Sequence, residues 1–171
     1  MSAMFRLRPR TSSLRRLGCE YDYQNDDAEL RRRQDAVKNR GHLTKGDLQA
    51  VGNWKSLRSA GRIKANSNRF VTEISRFALS TKSERARVEA LTLLSGVSWP
   101  TASVVLHFFH RGRYPILDYR ALWSLGVEDE PYRFDFWWSY VEFTRDLARR
   151  TNLDMRTLDK ALWQYSKEHQ P

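Results

Sequence analysis

The chain has 171 residues, of which 40% are hydrophobic and 12% aromatic, and 30 Lys and Arg against 20 Asp and Glu give a net charge of +10. That content suits one folded domain with a real core, excludes a disordered basic tail, and favours a polyanion as the large partner. The single cysteine, Cys19, excludes an intramolecular disulfide and any cysteine-built zinc or iron–sulfur site, and no stretch reaches the roughly 20 apolar residues of a membrane span.

Residues 1–26 are rich in Arg, Ser, Asn and Asp and hold no periodicity, so they read as an irregular basic arm. Two roles fit its first part, contact with phosphates or an organelle presequence; the arm is the preferred one. From Asp27 a charged helix with Ala28, Leu30 and Val37 runs to a stop at Gly41. Thr44 caps a short helix through about Trp54, with Leu48 and Val51 at helical spacing. Residues 56–67 read as a basic connection, with Lys55, Arg58, Arg62 and Lys64 in or beside it. Asn66 or Ser67 opens the next helix, with Phe70, Ile74, Phe77 and Ala78 on the inward face.

Ser83 caps a helix lined by Val88, Leu91 and Leu94 and broken at Gly96. The run 99–110 is apolar almost all round, the mark of a buried helix. Gly112 and Pro115 signal a loop, and Asp118 caps a short helix closed by Gly126. An aromatic helix follows Pro131, and a last helix over 154–167 turns Leu158, Ala161, Leu162 and Tyr165 inward. No strand pattern or internal repeat is present. The expected architecture is all-α: a compact multi-helix domain over 27–171, with about eight helices.

The informative run is LTLLSGVSWPTASVVLHFF followed by RGRYPILDYRALWSLG. A helix ending at Leu94 turns within 95–98 into a second helix. Gly96 permits the turn, Ser98 can cap the second helix, and Pro100 suits its first turn. Such a corner presents helix N-terminal amides, which can hold a phosphate oxygen, or it is an ordinary corner of a core.

LSGVSWPTASVVL resembles the hairpin of the helix–hairpin–helix DNA glycosylases, whose pattern is close to L-P-G-V-G-x-x-T-A. Leu94, Gly96, Val97, Thr101 and Ala102 match; Ser95 and Ser98 depart. The family's second signature, an aspartate after Pro-x-x, resembles Pro115, Ile116, Leu117 and Asp118. The wording PILD is close to the adenine-mismatch branch of the endonuclease III-like group. The likeness covers residues 88–126, with the hairpin at about 88–110 and the catalytic loop at about 112–120.

The resemblance implies a monofunctional DNA glycosylase that cleaves the N-glycosidic bond of a damaged, mismatched or modified base and leaves an abasic site. Asp118 would be the catalytic carboxylate, stabilising the positive charge that develops on the sugar after the base is flipped out. An N-cap aspartate is the plain reading, and the two are compatible. Where bifunctional members carry a lysine this chain has Pro100, whose nitrogen cannot form a Schiff base; Lys55 is a remote substitute. The resemblance also implies that carbonyls of the hairpin can bind a monovalent cation; no metal is expected on side chains and no other cofactor.

Gly96, Val97, Ser98 and Thr101 of the hairpin, with Arg111, Arg113 and Arg120 beside the loop, are the expected DNA contacts. Trp99, Tyr119 and Trp123 are the candidate base-pocket aromatics, although aromatics at helical spacing more often serve a core. The expected setting is a cytoplasmic, DNA-associated monomer acting on double-stranded DNA, away from membranes. The competing reading is a non-catalytic helix–hairpin–helix DNA-binding protein.

Overall fold

The computed structural model describes residues 5–23 and 26–171, in which ten α-helices and one 3-10 turn (Thr11–Ser13) occur and no strand is present. The all-α expectation is met. The helices are α1 (Leu14–Cys19), α2 (Ala28–Arg40), α3 (Lys45–Lys55), α4 (Leu57–Ile63), α5 (Asn68–Ser80), α6 (Glu84–Leu91), α7 (Trp99–Phe109), α8 (Tyr119–Ser124), α9 (Phe134–Thr151) and α10 (Met155–His169). The chain divides into two compact units rather than a 27–171 domain behind an arm. The described residues from 26 to Gly112 form one unit, and those up to 23 join those from Arg113 onward in the other.

In the unit of α2–α7, the sequence signals for α3 are met in full. Thr44 accepts from the Asp47 amide while the Asp47 carboxylate accepts from the Thr44 amide, a capping box. Asp47 also accepts from Arg33 at 3.0 Å and from Arg40 at 2.5 Å. Burial alone would raise its carboxyl pKa; the Thr44 bonds and the two guanidinium groups outweigh that and hold it below the ordinary value.

Residues 57–63, expected as a connection, are helical. Ala60 and Ile63 are buried, and a Cβ on Gly52 would lie 2.5 Å from the Ile63 side chain and 3.0 Å from Ala60 Cα. The close approach of α3 and α4 selects a helix that local composition does not advertise. The inward face of α5 is also rotated from expectation. Val71, Ser75 and Ala78 are buried, whereas Phe70 and Phe77 remain 38% and 48% exposed. The apolar helix α7 is buried along most of its length, as expected. Gln34 of α2 donates to its Phe108 carbonyl at 2.7 Å.

The other unit begins with a correction. The residues expected as an irregular arm carry the 3-10 turn and α1, with Phe5, Leu14 and Leu17 buried. Phe5 lies 5.8, 6.0 and 5.3 Å from the rings of Phe136, Tyr140 and Phe143. The Arg6 and Arg8 amides donate to the Leu125 and Ser124 carbonyls at 2.8 and 2.9 Å. Gly18 lets α1 close on α10, since a Cβ there would sit 2.9 Å from the Thr157 carbonyl oxygen. Many arginines disguise a segment whose Phe5, Leu14 and Leu17 are used in packing. In α10, Leu158, Ala161 and Leu162 are buried as expected, while Tyr165 is only partly so.

Candidate nucleic-acid interface and candidate active site

The interface candidate belongs to the unit of α2–α7. Helix α6 stops at Leu91, three residues earlier than expected. The amides of Thr92, Leu93 and Leu94 then bond three residues back, a tightening that leads into the turn. Gly96 has φ +79°, and a Cβ there would meet the Ser59 carbonyl oxygen at 2.7 Å and the Ile63 amide nitrogen at 2.9 Å. Glycine is therefore required twice, by backbone conformation and by the approach of α4. Asn66, itself buried, donates to the Ser95 carbonyl and accepts from the Ser95 amide, both at 2.9 Å.

Ser98 occupies the N-cap of α7, yet its hydroxyl makes no cap hydrogen bond; the expected side-chain cap is absent. Its carbonyl accepts from Ala102 at 2.8 Å, and Pro100 lies in the first turn as expected. Val97 and Thr101 are 6% and 1% exposed, so their side chains shape the turn from within. Trp99 is half-buried, and Arg111 is exposed.

A groove of about 580 Å³ runs along the turn between residues 92–101 and α4, and Lys55, Arg58 and Arg62 line it. Arg58 and Arg62 stood in the expected connection and are carried on α4, and Lys55 ends α3. Leu93 lines the groove at 64% exposure, and Leu57, next to Arg58, is 83% exposed. The carbonyls of Leu91, Leu94 and Ser95 each accept an N–H donor at the turn. Among the described residues, no three His, Cys, Asp or Glu side chains gather as a metal site. No helix there is long and apolar enough to cross a membrane.

The active-site candidate belongs to the other unit. Asp118 has extended backbone and caps α8, its carboxylate accepting from the Arg120 amide at 3.0 Å. The residues leading to it are buried and held from two helices. The Tyr140 hydroxyl on α9 donates to the Ile116 carbonyl at 2.9 Å, and buried Asp159 on α10 accepts from the Ile116 amide at 3.3 Å. Burial, then the charges of Asp159 and Asp118, push the Tyr140 hydroxyl well above its ordinary pKa. Tyr132 is raised by burial first and the Asp118 charge second. Both phenols therefore favour the protonated form, and the single proton of Tyr140 is committed to the Ile116 carbonyl.

An open pocket of about 440 Å³ is lined by Tyr119, the residue after Asp118, with Trp123, Tyr132 and the acidic run Glu128, Asp129 and Glu130; Asp118 itself does not line it. Tyr119 is 59% exposed, whereas Trp123 is 8% exposed with the Arg8 guanidinium 4.1 Å from its ring centre. Arg120 lies over the rings of Tyr119 and Trp163 at 5.2 and 5.3 Å. Arg113 is exposed, and its carbonyl accepts from Arg145 at 2.6 Å.

The expected residues thus fall into two groups, one in each unit: Gly96, Val97, Ser98, Trp99, Thr101 and Arg111 in one, of which Gly96, Val97, Ser98 and Thr101 line the groove, and Arg113, Asp118, Tyr119, Arg120 and Trp123 in the other, of which Tyr119 and Trp123 line the pocket. Sequence reading missed Asn66, Tyr132, Tyr140 and Asp159. Nothing in their local sequence marks these roles, and Asn66, Tyr140 and Asp159 act on segments far away in the chain. Compared with known proteins, the chain matches no family model, no curated protein and no solved structure.

Proposed function

We propose that this protein is a monofunctional DNA glycosylase in which Asp118 is the catalytic carboxylate, a reading that rests on the resemblance of LSGVSWPTA and PILD to that superfamily. The observation that carries it is the mounting of Asp118. Its carboxylate heads α8, after a segment fastened through both the amide and the carbonyl of Ile116, and the next residue, the exposed Tyr119, lines a pocket. A carboxylate fixed in this way loses little order when charge develops on a sugar, which is what electrostatic stabilisation of an oxocarbenium-like state requires.

In the proposed reaction the bond between C1′ and the base breaks and its electron pair leaves with the base. Water adds at C1′, one proton goes to the departing base, and Asp118 stabilises the cationic sugar and orients the water. Tyr119 and Tyr132 line the space for the extruded base. In one unit the groove with Lys55, Arg58 and Arg62, and Arg111, supply cations for phosphates; in the other, Arg113 and Arg120 do. Pro100 in place of a lysine supports hydrolysis without strand cleavage. A monomer associated with cytoplasmic DNA fits this role.

The test is base release from labelled duplexes carrying uracil, alkylated purines, oxidised guanine, adenine mismatches or hypermodified cytosines. Strand breaks that appear only after alkali, and vanish with Asp118→Asn while duplex binding persists, are the expected result. Breaks without alkali overturn the monofunctional assignment. Tight duplex binding with no release from any substrate moves the assignment to a non-catalytic DNA-binding protein.

A further inference from the structure

We propose that the surface formed by Tyr21, Tyr23, Tyr119, Arg120, Trp163 and Lys167 binds a single-stranded stretch of nucleic acid. All six lie in the unit that carries Asp118. Trp163 is the centre, with the rings of Tyr21 and Tyr23 at 5.2 and 5.1 Å. Cations alternate with these rings: Arg120 is 5.3 Å and Lys167 5.8 Å from the Trp163 ring, Arg120 is 5.2 Å from Tyr119, and Lys160 is 5.4 Å from Tyr21. Asp22 holds the Lys167 ammonium at 2.5 Å, at the edge of the platform.

Tyr119 and Tyr23 stay 59% and 47% exposed, two large aromatic side chains that the fold does not bury. Exposed rings interleaved with cations match an unpaired strand, whose bases offer π faces and whose phosphates offer charge. A duplex hides its base faces and engages only the cations. An acidic peptide likewise leaves Tyr119 and Tyr23 without a partner. Tyr119 and Arg120 follow Asp118 directly, so a strand on this surface brings unpaired nucleotides next to the carboxylate. The inference stands whether or not Asp118 releases a base.

The experiment measures anisotropy of a short labelled oligothymidylate with the full chain, against a duplex of equal length and against polyglutamate. Oligothymidylate carries no lesion, so the result is independent of base release. The expected result is tighter binding of the single strand than of polyglutamate and a loss of about tenfold in each of Tyr23→Ala and Tyr119→Ala, the size of one base–ring stack. Arg120→Gln should flatten the salt dependence. Tryptophan quenching by oligothymidylate, reduced in Trp163→Phe, is a second readout. Unchanged affinity in the Tyr23→Ala and Tyr119→Ala double variant, quenching that survives Trp163→Phe in full, or equal binding of polyglutamate overturns the proposal.

Discussion

Asn66 and Ser95 exchange two hydrogen bonds of 2.9 Å each, so that one side-chain amide brackets the backbone of the turn before α7. The same Asn66 nitrogen donates to the Ile63 carbonyl at 2.9 Å, which ties the turn to the end of α4. Asn66→Ala removes the side-chain bonds to the Ser95 amide and carbonyl, while the Ile63 carbonyl keeps the Asn66 backbone amide, and should cost about 1–2 kcal/mol in chemical unfolding. In the folded variant, duplex affinity should fall with it, since the turn borders the basic groove. Wild-type stability and affinity in Asn66→Ala would remove both roles.

Gly96→Ala is expected to cost at least about 2 kcal/mol, because the positive φ is unfavourable for a side chain and the new methyl meets backbone of α4. Gly61→Ala is the control, as a Cβ there meets nothing within 4 Å. It sits in a helix interior, where alanine is favoured by about 0.5–1 kcal/mol. Thermal unfolding of the two variants should shift in opposite directions; equal shifts would contradict the packing described for the turn.

Phe5→Ala tests whether the first described residues belong to the core. Its ring sits among Phe136, Tyr140 and Phe143, and truncation should cost about 3–5 kcal/mol. A basic arm outside the fold predicts almost no change in the unfolding midpoint.

Asp47 should make this protein acid-sensitive. Its folded-state pKa lies below its unfolded value near 3.8, so the unfolded chain binds more protons between the two values. The stabilisation is complete above the unfolded value and is lost as pH falls through the folded one. Asp47→Asn should flatten that acid limb and lower stability at neutral pH by about 2 kcal/mol, since Arg33 and Arg40 lose a charged acceptor. An unaltered slope in denaturation midpoint against pH would show that other carboxylates carry the effect.

Tyr140→Phe removes the donor to the Ile116 carbonyl while keeping the ring. Under the glycosylase reading it should lower single-turnover base release more than duplex affinity, at a stability cost of about 1 kcal/mol. Tyr140 is a positioning residue, so a fall in affinity alone would speak for a purely structural part.

Several elements were legible in the sequence because their causes are local. Thr44 with Asp47, the apolar run of α7, and Asp118 with Gly126 around α8 each declare themselves within one or two turns of chain. The candidate carboxylate was legible for the same reason, as an N-cap in a recognisable setting. Elsewhere distant neighbours decided. The helical state of 57–63 comes from Gly52 admitting Ala60 and Ile63, and α1 is secured against α10 through Gly18. On α5 two apolar stripes overlap, and packing chose Val71 and Ala78 over Phe70 and Phe77. The anchoring of Ile116 by Tyr140 and Asp159, and of Ser95 by Asn66, links residues 24, 43 and 29 positions apart. Periodicity and capping act over a few residues, whereas these bonds exist only once the helices have met, and tertiary structure alone could disclose them.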